Sequence, residues 1–307
     1  MKKLVIFTLF IIFIPFFIVF IYKLYFLEEI ELNYIENRNI RVKRLASGEV
    51  IVIPLEEYVV GVLAGEMPIY FEKEAFKAQA VASRSYALKR MGYNKDNEYD
   101  VVDSVMNQVY LDNDYLKEAW GINYTSNINK LRTAVNETLD EVLYYDDEVI
   151  DAMFFSTSNG YTEDVSNIFS LQLPYLRSVD SFWDKDTSSA FKASKSVSLG
   201  SFYEKLGISY SDKLNIEILE RTSTNRILKL KINDVIFLAK DVYNKLGLKS
   251  YDFEIKKKGD SVIISTCGYG HGVGMSQYGA LGMAKEGYNY IDILKHYYTG
   301  VEIGKIK

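Results

Sequence analysis

A chain of 307 residues with 48% hydrophobic residues and a formal net charge of -5 can bury one large core or two smaller ones, which excludes a disordered polyelectrolyte. No basic patch marks it for nucleic acid. Cys267 is the only cysteine, so an intrachain disulfide is excluded, and with His271 and His296 as the only histidines a conventional His/Cys zinc site is short of ligands from the outset.

Residues 4 to 22, LVIFTLFIIFIPFFIVFIY, carry no charge and at 1.5 Å rise per residue are about long enough for a hydrocarbon core of roughly 30 Å. The run passes into Lys23, Tyr25 and Phe26 without a small-x-small cleavage signal, so the expectation is a retained membrane anchor over 1–28, with a cleaved leader as the alternative. Lys2 and Lys3 favour an extracytoplasmic C-terminal part, an asymmetry weakened by Lys23, Arg38, Arg41, Lys43 and Arg44, and Pro15 should bend the span. Residues 29–48 read as a juxtamembrane segment without chemistry.

From residue 49 onward the pattern is that of a mixed α+β domain reaching to 307. EVIVIPL is a strand ended by Pro54, and Leu55 to Leu63 has a compact helical pattern that Pro68 stops near Met67. A helix is predicted from about Glu72 to Met91, with Phe76, Ala80, Ser83 and Ala87 on one face whose small residues allow close approach of a neighbour. Residues 127–138 read as a helix, and EVLYYDDEVIDAMFFS as two extended segments joined around Asp146 and Asp147. Between 190 and 260 helix-like and strand-like pieces alternate, suggesting an inserted accessory lobe. SVIIST is a strand leading into a glycine-rich stretch, and YIDILKHYY a final helix.

LEEYVVGVLAGEMP followed by FEKEAFKAQAVASRSYAL resembles the opening signature of the stage II sporulation protein D family of peptidoglycan lytic transglycosylases. The likeness continues through LRTAVNETLDEVLYYDDEVIDAMFFSTSNGYTED, LPYLRSVDS and GYGHGVGMSQYGALGMAKEGYNYIDILKHYYTGVEI, in the family's order over most of residues 50–303. The resemblance implies that Glu66 of GEMP is the catalytic glutamate. The implied reaction cuts the bond between N-acetylmuramic acid and N-acetylglucosamine in glycan stripped of stem peptides, leaving a 1,6-anhydro-muramic end. It also implies a setting in engulfment during sporulation, at the mother-cell membrane, beside a cell-wall amidase and a third membrane protein. Some members hold zinc through His and Cys residues in the region matching Ala152–Asp164. Here that region has Phe155, Ser156, Ser158 and Tyr161 and neither residue type, so no metal or other cofactor is expected. A replacement site from Cys267 and His271 is the alternative.

The residues themselves support acid chemistry at Glu66. A carboxyl where a helix meets a loop loses water, which disfavours its charge and suits it to donate a proton; an ordinary helix-end carboxylate is the competing reading. Gln79, Arg84, Ser85 and Tyr86 on the following helix are candidates for a substrate-binding wall, with Arg84 hydrogen-bonding a sugar oxygen or pairing with a buried carboxylate. Ser156, Thr157, Ser158 and Asn159 can both donate and accept, as hydroxyl and acetamido recognition requires, or can simply cap a turn. In GYGHGVGMSQYGALG the glycines strip away bulk around His271, Gly272, Gly274, Met275, Ser276, Gln277 and Tyr278, a lining suited to a neutral sugar, and the spacing fits no nucleotide loop. His271 is a sugar ligand, a support for Glu66, or a packed histidine. A conventional hydrolase would need a second carboxylate, with Glu57, Glu72, Asp151 and Glu163 as candidates. The reading from a different class is a glycan-binding, amidase-enhancing module without catalysis of its own.

Overall fold

The computed structural model describes the backbone of residues 2–25, 27–35 and 38–307; within the first helix, side chains are described for 11–22. The chain divides into two compact units, Met1–Glu141 and Val142–Lys307.

The first unit begins with α1 (Lys2–Tyr25), which contains Pro15. Of the apolar run, the side chains of residues 4–10 lie outside the described residues. Among the described residues no helix is long and apolar enough to cross a membrane. That finding corrects the expected single transmembrane anchor over 1–28, and with it the single-pass and mother-cell-membrane placement.

After α1 the chain forms β1 (Asn39–Lys43), β2 (Val50–Pro54), α2 (Leu55–Glu66), α3 (Lys73–Tyr93), β3 (Val101–Val102), α4 (Asn113–Trp120) and α5 (Tyr124–Glu137). β1 lies between antiparallel β2 and parallel β3. Pro54 ends β2 and opens α2, with Glu56 and Glu57 in the first turn where the helix dipole favours negative charge. Helices α2, α3 and α5 pack together. The predicted face of α3 is the buried one, since Phe76, Ala80, Ser83 and Ala87 are all fully enclosed. Residues 27–35, without regular structure, form a strap along α5. Asn129 takes the Ile30 N–H at 2.7 Å and donates to Glu28 O at 2.7 Å, and Asn136 does the same for Asn33 N–H and Glu31 O at 2.9 Å each. Between them Arg132 binds the Glu29 carboxylate at 2.9 Å and Ile30 O at 3.0 Å. The two clamps are seven helical residues apart, about 10 Å, which is the reach of three residues of nearly extended strap.

In the second unit come β4 (Glu141–Tyr145), β5 (Glu148–Val149), β6 (Phe154–Phe155), α6 (Val165–Ile168) and α7 (Asp184–Thr187). Asp146 and Asp147 both take positive φ, +50° and +62°, the geometry that turns β4 back into β5. Next are β7 (Lys192–Ser198), α8 (Leu199–Leu206), β8 (Ile216–Arg221), β9 (Ile227–Ile232), β10 (Val235–Leu238), α9 (Ala239–Leu246), β11 (Asp252–Lys258) and β12 (Ser261–Cys267). These make two antiparallel sheets, β11-β12-β7 and β10-β9-β8. With α8 and α9 they close over a core of their own that includes Phe202, Leu206, Leu230, Val242, Phe253 and Ile264. Ser198 and Gly207 cap α8, and Gly247 ends α9 in the left-handed region. The chain then forms β13 (Met275–Ser276), α10 (Gln277–Lys285), α11 (Tyr290–Tyr297) and β14 (Glu302–Lys305), with β13 parallel to β6 and β4 lying between β14 and β5.

Candidate functional site

Glu66 is the last residue of α2 and is partly buried. Its Oε1 accepts the Val109 N–H at 2.7 Å, across a sequence distance no local pattern spans. The final carbonyls of α2 place negative partial charge beside the carboxylate, and the amide donor offsets it. Tyr58, two turns back on α2, is fully buried and donates to Gln108 Oε1 at 3.0 Å; burial drives its phenol well above the usual range, so it stays a protonated donor.

The four candidates on α3 lie inside the same unit. Arg84 is wholly buried and forks onto Glu56, with Nη2 at 2.6 Å from Oε2 and Nε at 2.8 Å from Oε1, while Nη1 reaches Glu141 O at 2.8 Å. Ser85 Oγ donates to Val81 O at 2.7 Å and Gln79 Nε2 to Ser83 Oγ at 3.0 Å, both side chains sealed from solvent. Tyr86 keeps slight exposure; its hydroxyl accepts from Asn107 Nδ2 at 3.0 Å. Of the candidate second carboxylates here, Glu57 binds the Asn113 amide and Glu72 is exposed at the start of α3.

In the second unit the hydroxyl loop and the glycine-rich segment are brought together, and the centre is a residue the sequence did not single out. Asp184 is fully buried. Its Oδ1 accepts the Ser158 N–H at 2.8 Å and the Ser276 hydroxyl at 2.5 Å, and its Oδ2 the Ser181 hydroxyl at 2.7 Å. Burial raises this carboxyl above the usual range, against those donors. Thr157 exchanges backbone bonds with Tyr269 at 3.0 and 2.7 Å, and Tyr278 N–H donates to Ser156 O at 3.1 Å. Asn159 turns away to Thr224 O and Asp252 Oδ2, both at 2.8 Å. Glu163 is buried against Arg226 at 3.6 Å and the Thr224 hydroxyl, and Asp151 is also buried.

The glycines serve packing here. A Cβ on Gly272 would meet Arg226 Nη2 at 2.5 Å, and one on Gly274 would strike Met153 O, at φ values of +86° and +80°. Gly272, Gly274, Met275, Ser276 and Gln277 are buried, and Tyr278 is partly exposed. His271 accepts the Val273 N–H on Nδ1 at 3.0 Å and packs its ring 5.7 Å from Phe155 and 5.5 Å from Phe169. Burial pushes the imidazole down to about 4, so it is neutral at neutral pH, with the proton on Nε2 toward Phe154 O. Burial likewise pushes the Cys267 thiol up to about 11. Among the described residues no group of three or more His, Cys, Asp or Glu side chains could hold a metal ion.

The stage II sporulation protein family model matches residues 45–145, the stretch that contains Glu66 and Val109. The stage II sporulation protein D of Bacillus subtilis (strain 168) is 43% identical over 272 residues, which covers 87% of this chain and 79% of that protein. The protein of the same name from Bacillus amyloliquefaciens is 42% identical over the same shares. The amidase enhancer of Bacillus subtilis is 29% identical over 298 residues, 79% of this chain and 40% of that protein. The chain belongs to the stage II sporulation protein D family.

Proposed function

We propose that this member of the stage II sporulation protein D family, whose part is in peptidoglycan remodelling during sporulation, is a lytic transglycosylase acting on glycan strands without stem peptides. The observation that carries the reading is Glu66 of the family's GEMP motif: a partly buried carboxylate at a helix end with one oxygen fixed by a backbone amide. In the first step protonated Glu66 gives its proton to the glycosidic oxygen as the bond to the muramic anomeric carbon breaks, and the glucosamine side leaves as an alcohol. In the second, the Glu66 carboxylate takes the proton of the muramic C6 hydroxyl while that oxygen bonds to the anomeric carbon, closing the 1,6-anhydro ring. One carboxylate serves both steps. An amidase that strips stem peptides is the partner this substrate calls for.

Glu66→Gln is the test. General acid/base catalysis is worth about 10² to 10⁴ in rate, so the folded variant should lose nearly all cleavage of bare glycan while keeping its affinity. Mass spectrometry distinguishes the anhydro end from the reducing sugar of a hydrolase. Cleavage at the wild-type rate by the variant would sink the mechanism. The likeness to an amidase enhancer favours one second reading, a glycan-binding module without its own catalysis; it holds if wild type and variant both bind bare strands and neither shortens them.

A further inference from the structure

Residues 107–111 lie against the side of α2 that ends in Glu66, and the fit depends on two glycines. A Cβ on Gly65 would meet Val109 O at 2.5 Å and Val109 Cγ1 at 2.9 Å; one on Gly61 would meet the Tyr110 ring and, at 2.6 Å, Leu111 O. The spacing of four puts both glycines on one helical stripe, which becomes a groove for backbone. The segment is tied down along its length. Asn107 accepts the Val102 N–H at 2.9 Å and donates to Tyr86 OH at 3.0 Å. Gln108 is fully buried and accepts from Tyr58, whose ring stacks on Tyr110 at 5.6 Å. Leu111 N–H closes onto Gly61 O at 3.2 Å. Between these ties Val109 has its N–H directed at Glu66 Oε1.

We infer that segment 107–111 is the positioning device of Glu66, holding Oε1 on the Val109 amide so that the proton exchanged with substrate is carried by Oε2. An oxygen that accepts an N–H at 2.7 Å is poorly placed to carry a proton of its own on the same side, so the two carboxylate oxygens have unequal roles. Gly65 and Asn107 are positioning residues in this scheme, acting on the reaction only through the carboxylate. The inference rests on the reading of Glu66 as the acid/base for its catalytic part, while the contact itself can be tested without activity.

In the ¹⁵N-labelled full chain, the Val109 amide proton should shift as Glu66 titrates, and that response should vanish in Glu66→Gln. Gly65→Ala should fold, since alanine is the better helix former by about 1 kcal/mol, but should push Val109 off the carboxylate. Its kcat should fall about ten- to a hundredfold with KM within about twofold, as for a reacting group misplaced by about 1 Å, and the alkaline limb of its pH profile, where the acid deprotonates, should move upward because the amide no longer favours the charged form. If Gly65→Ala does not fold, Asn107→Ala, which cuts the tie to Tyr86 without adding volume, is read by the same criteria. A Val109 amide indifferent to Glu66→Gln overturns the clamp whatever the enzyme does. A wild-type kcat and pH profile in a folded positioning variant overturns its role in catalysis. Loss of the amide response together with undiminished cleavage by Glu66→Gln would instead keep the clamp and remove the acid/base reading.

Discussion

Arg84 lays its guanidinium fork on both oxygens of Glu56, joining α3 to α2 with neither side chain reaching solvent. Two charges taken out of water together lose more by the removal of one than by the removal of both, because the survivor is left buried and unpaired. Arg84→Ala should therefore destabilise the protein by about 3–5 kcal/mol, and Arg84→Lys should recover only part, since an ammonium cannot make the two-point contact. Urea unfolding of the single variants and of Arg84→Met combined with Glu56→Leu checks this; the double variant should be more stable than Arg84→Ala. Equal stability of Arg84→Ala and wild type would show that the pair contributes nothing to the fold.

His271 gives the protein a signature in acid. Its imidazole is held down to about 4 in the folded state by burial, against about 6.5 in an unfolded chain. The unfolded state thus takes up a proton first, so the contribution is complete above about pH 6.5 and is lost as pH falls toward 4. Thermal melts of wild type and His271→Gln across that window should converge on acidification by about 1–3 kcal/mol. A constant difference between them would contradict a ring held neutral in the folded state.

Chelation should leave cleavage of bare glycan intact. The segment 152–164 offers only hydroxyl, amide and carboxylate donors, and Glu163 is already engaged by Arg226 and Thr224. Metal content and activity measured on the same sample before and after EDTA decide the matter; stoichiometric zinc with chelator-sensitive cleavage would turn attention to Cys267 and His271.

The strap along α5 should open without the unit unfolding. Asn129→Ala with Asn136→Ala removes both amide clamps, each worth about 0.5–1.5 kcal/mol. Limited proteolysis should then cut within residues 27–35 at least several times faster, while the global melting temperature moves by only a few degrees. Unchanged cutting in the double variant would mean that Arg132 holds the strap without the amide clamps.

The legible parts of this molecule were those set by near neighbours in the chain. Small residues at helical spacing announced α3 and its buried face, Asp146 and Asp147 announced a tight turn, and Pro54 marked where β2 gives way to α2. Harder were the features made by distant partners. Gly279 and Gly282 argue against a helix by propensity, yet α10 contains both, because Ser181, Tyr297 and Trp183 occupy the space their side chains would need. Asp184 sits in a polar stretch that looks solvated, and its burial depends on donors from residues 158, 181 and 276. The glycine-rich segment read as a cleft lining because sequence cannot show that Met153 and Arg226 press against it. Glu66 was singled out through its motif, but its amide partner, Val109, had no signal at all. The membrane span inferred from hydropathy is corrected by the finding that, among the described residues, no helix is long and apolar enough to cross a membrane.

The strands that open and close the body built around Phe202 and Leu230 are neighbours, with Lys192 paired directly to Cys267 across β7 and β12. The polypeptide departs and returns through one doorway, so a cassette of this kind can be lengthened, shortened or exchanged without displacing what flanks it. Asn159 and Glu163 prevent a clean excision. Both are bound from inside the cassette, by Thr224, Asp252 and Arg226, and a splice that discarded those partners would leave Glu163 Oε2 buried without its donor and its counter-charge, with Oε1 alone still held by Asp164 N–H and Asn167. Chains that dispense with the cassette should therefore carry an uncharged residue where this one has Glu163.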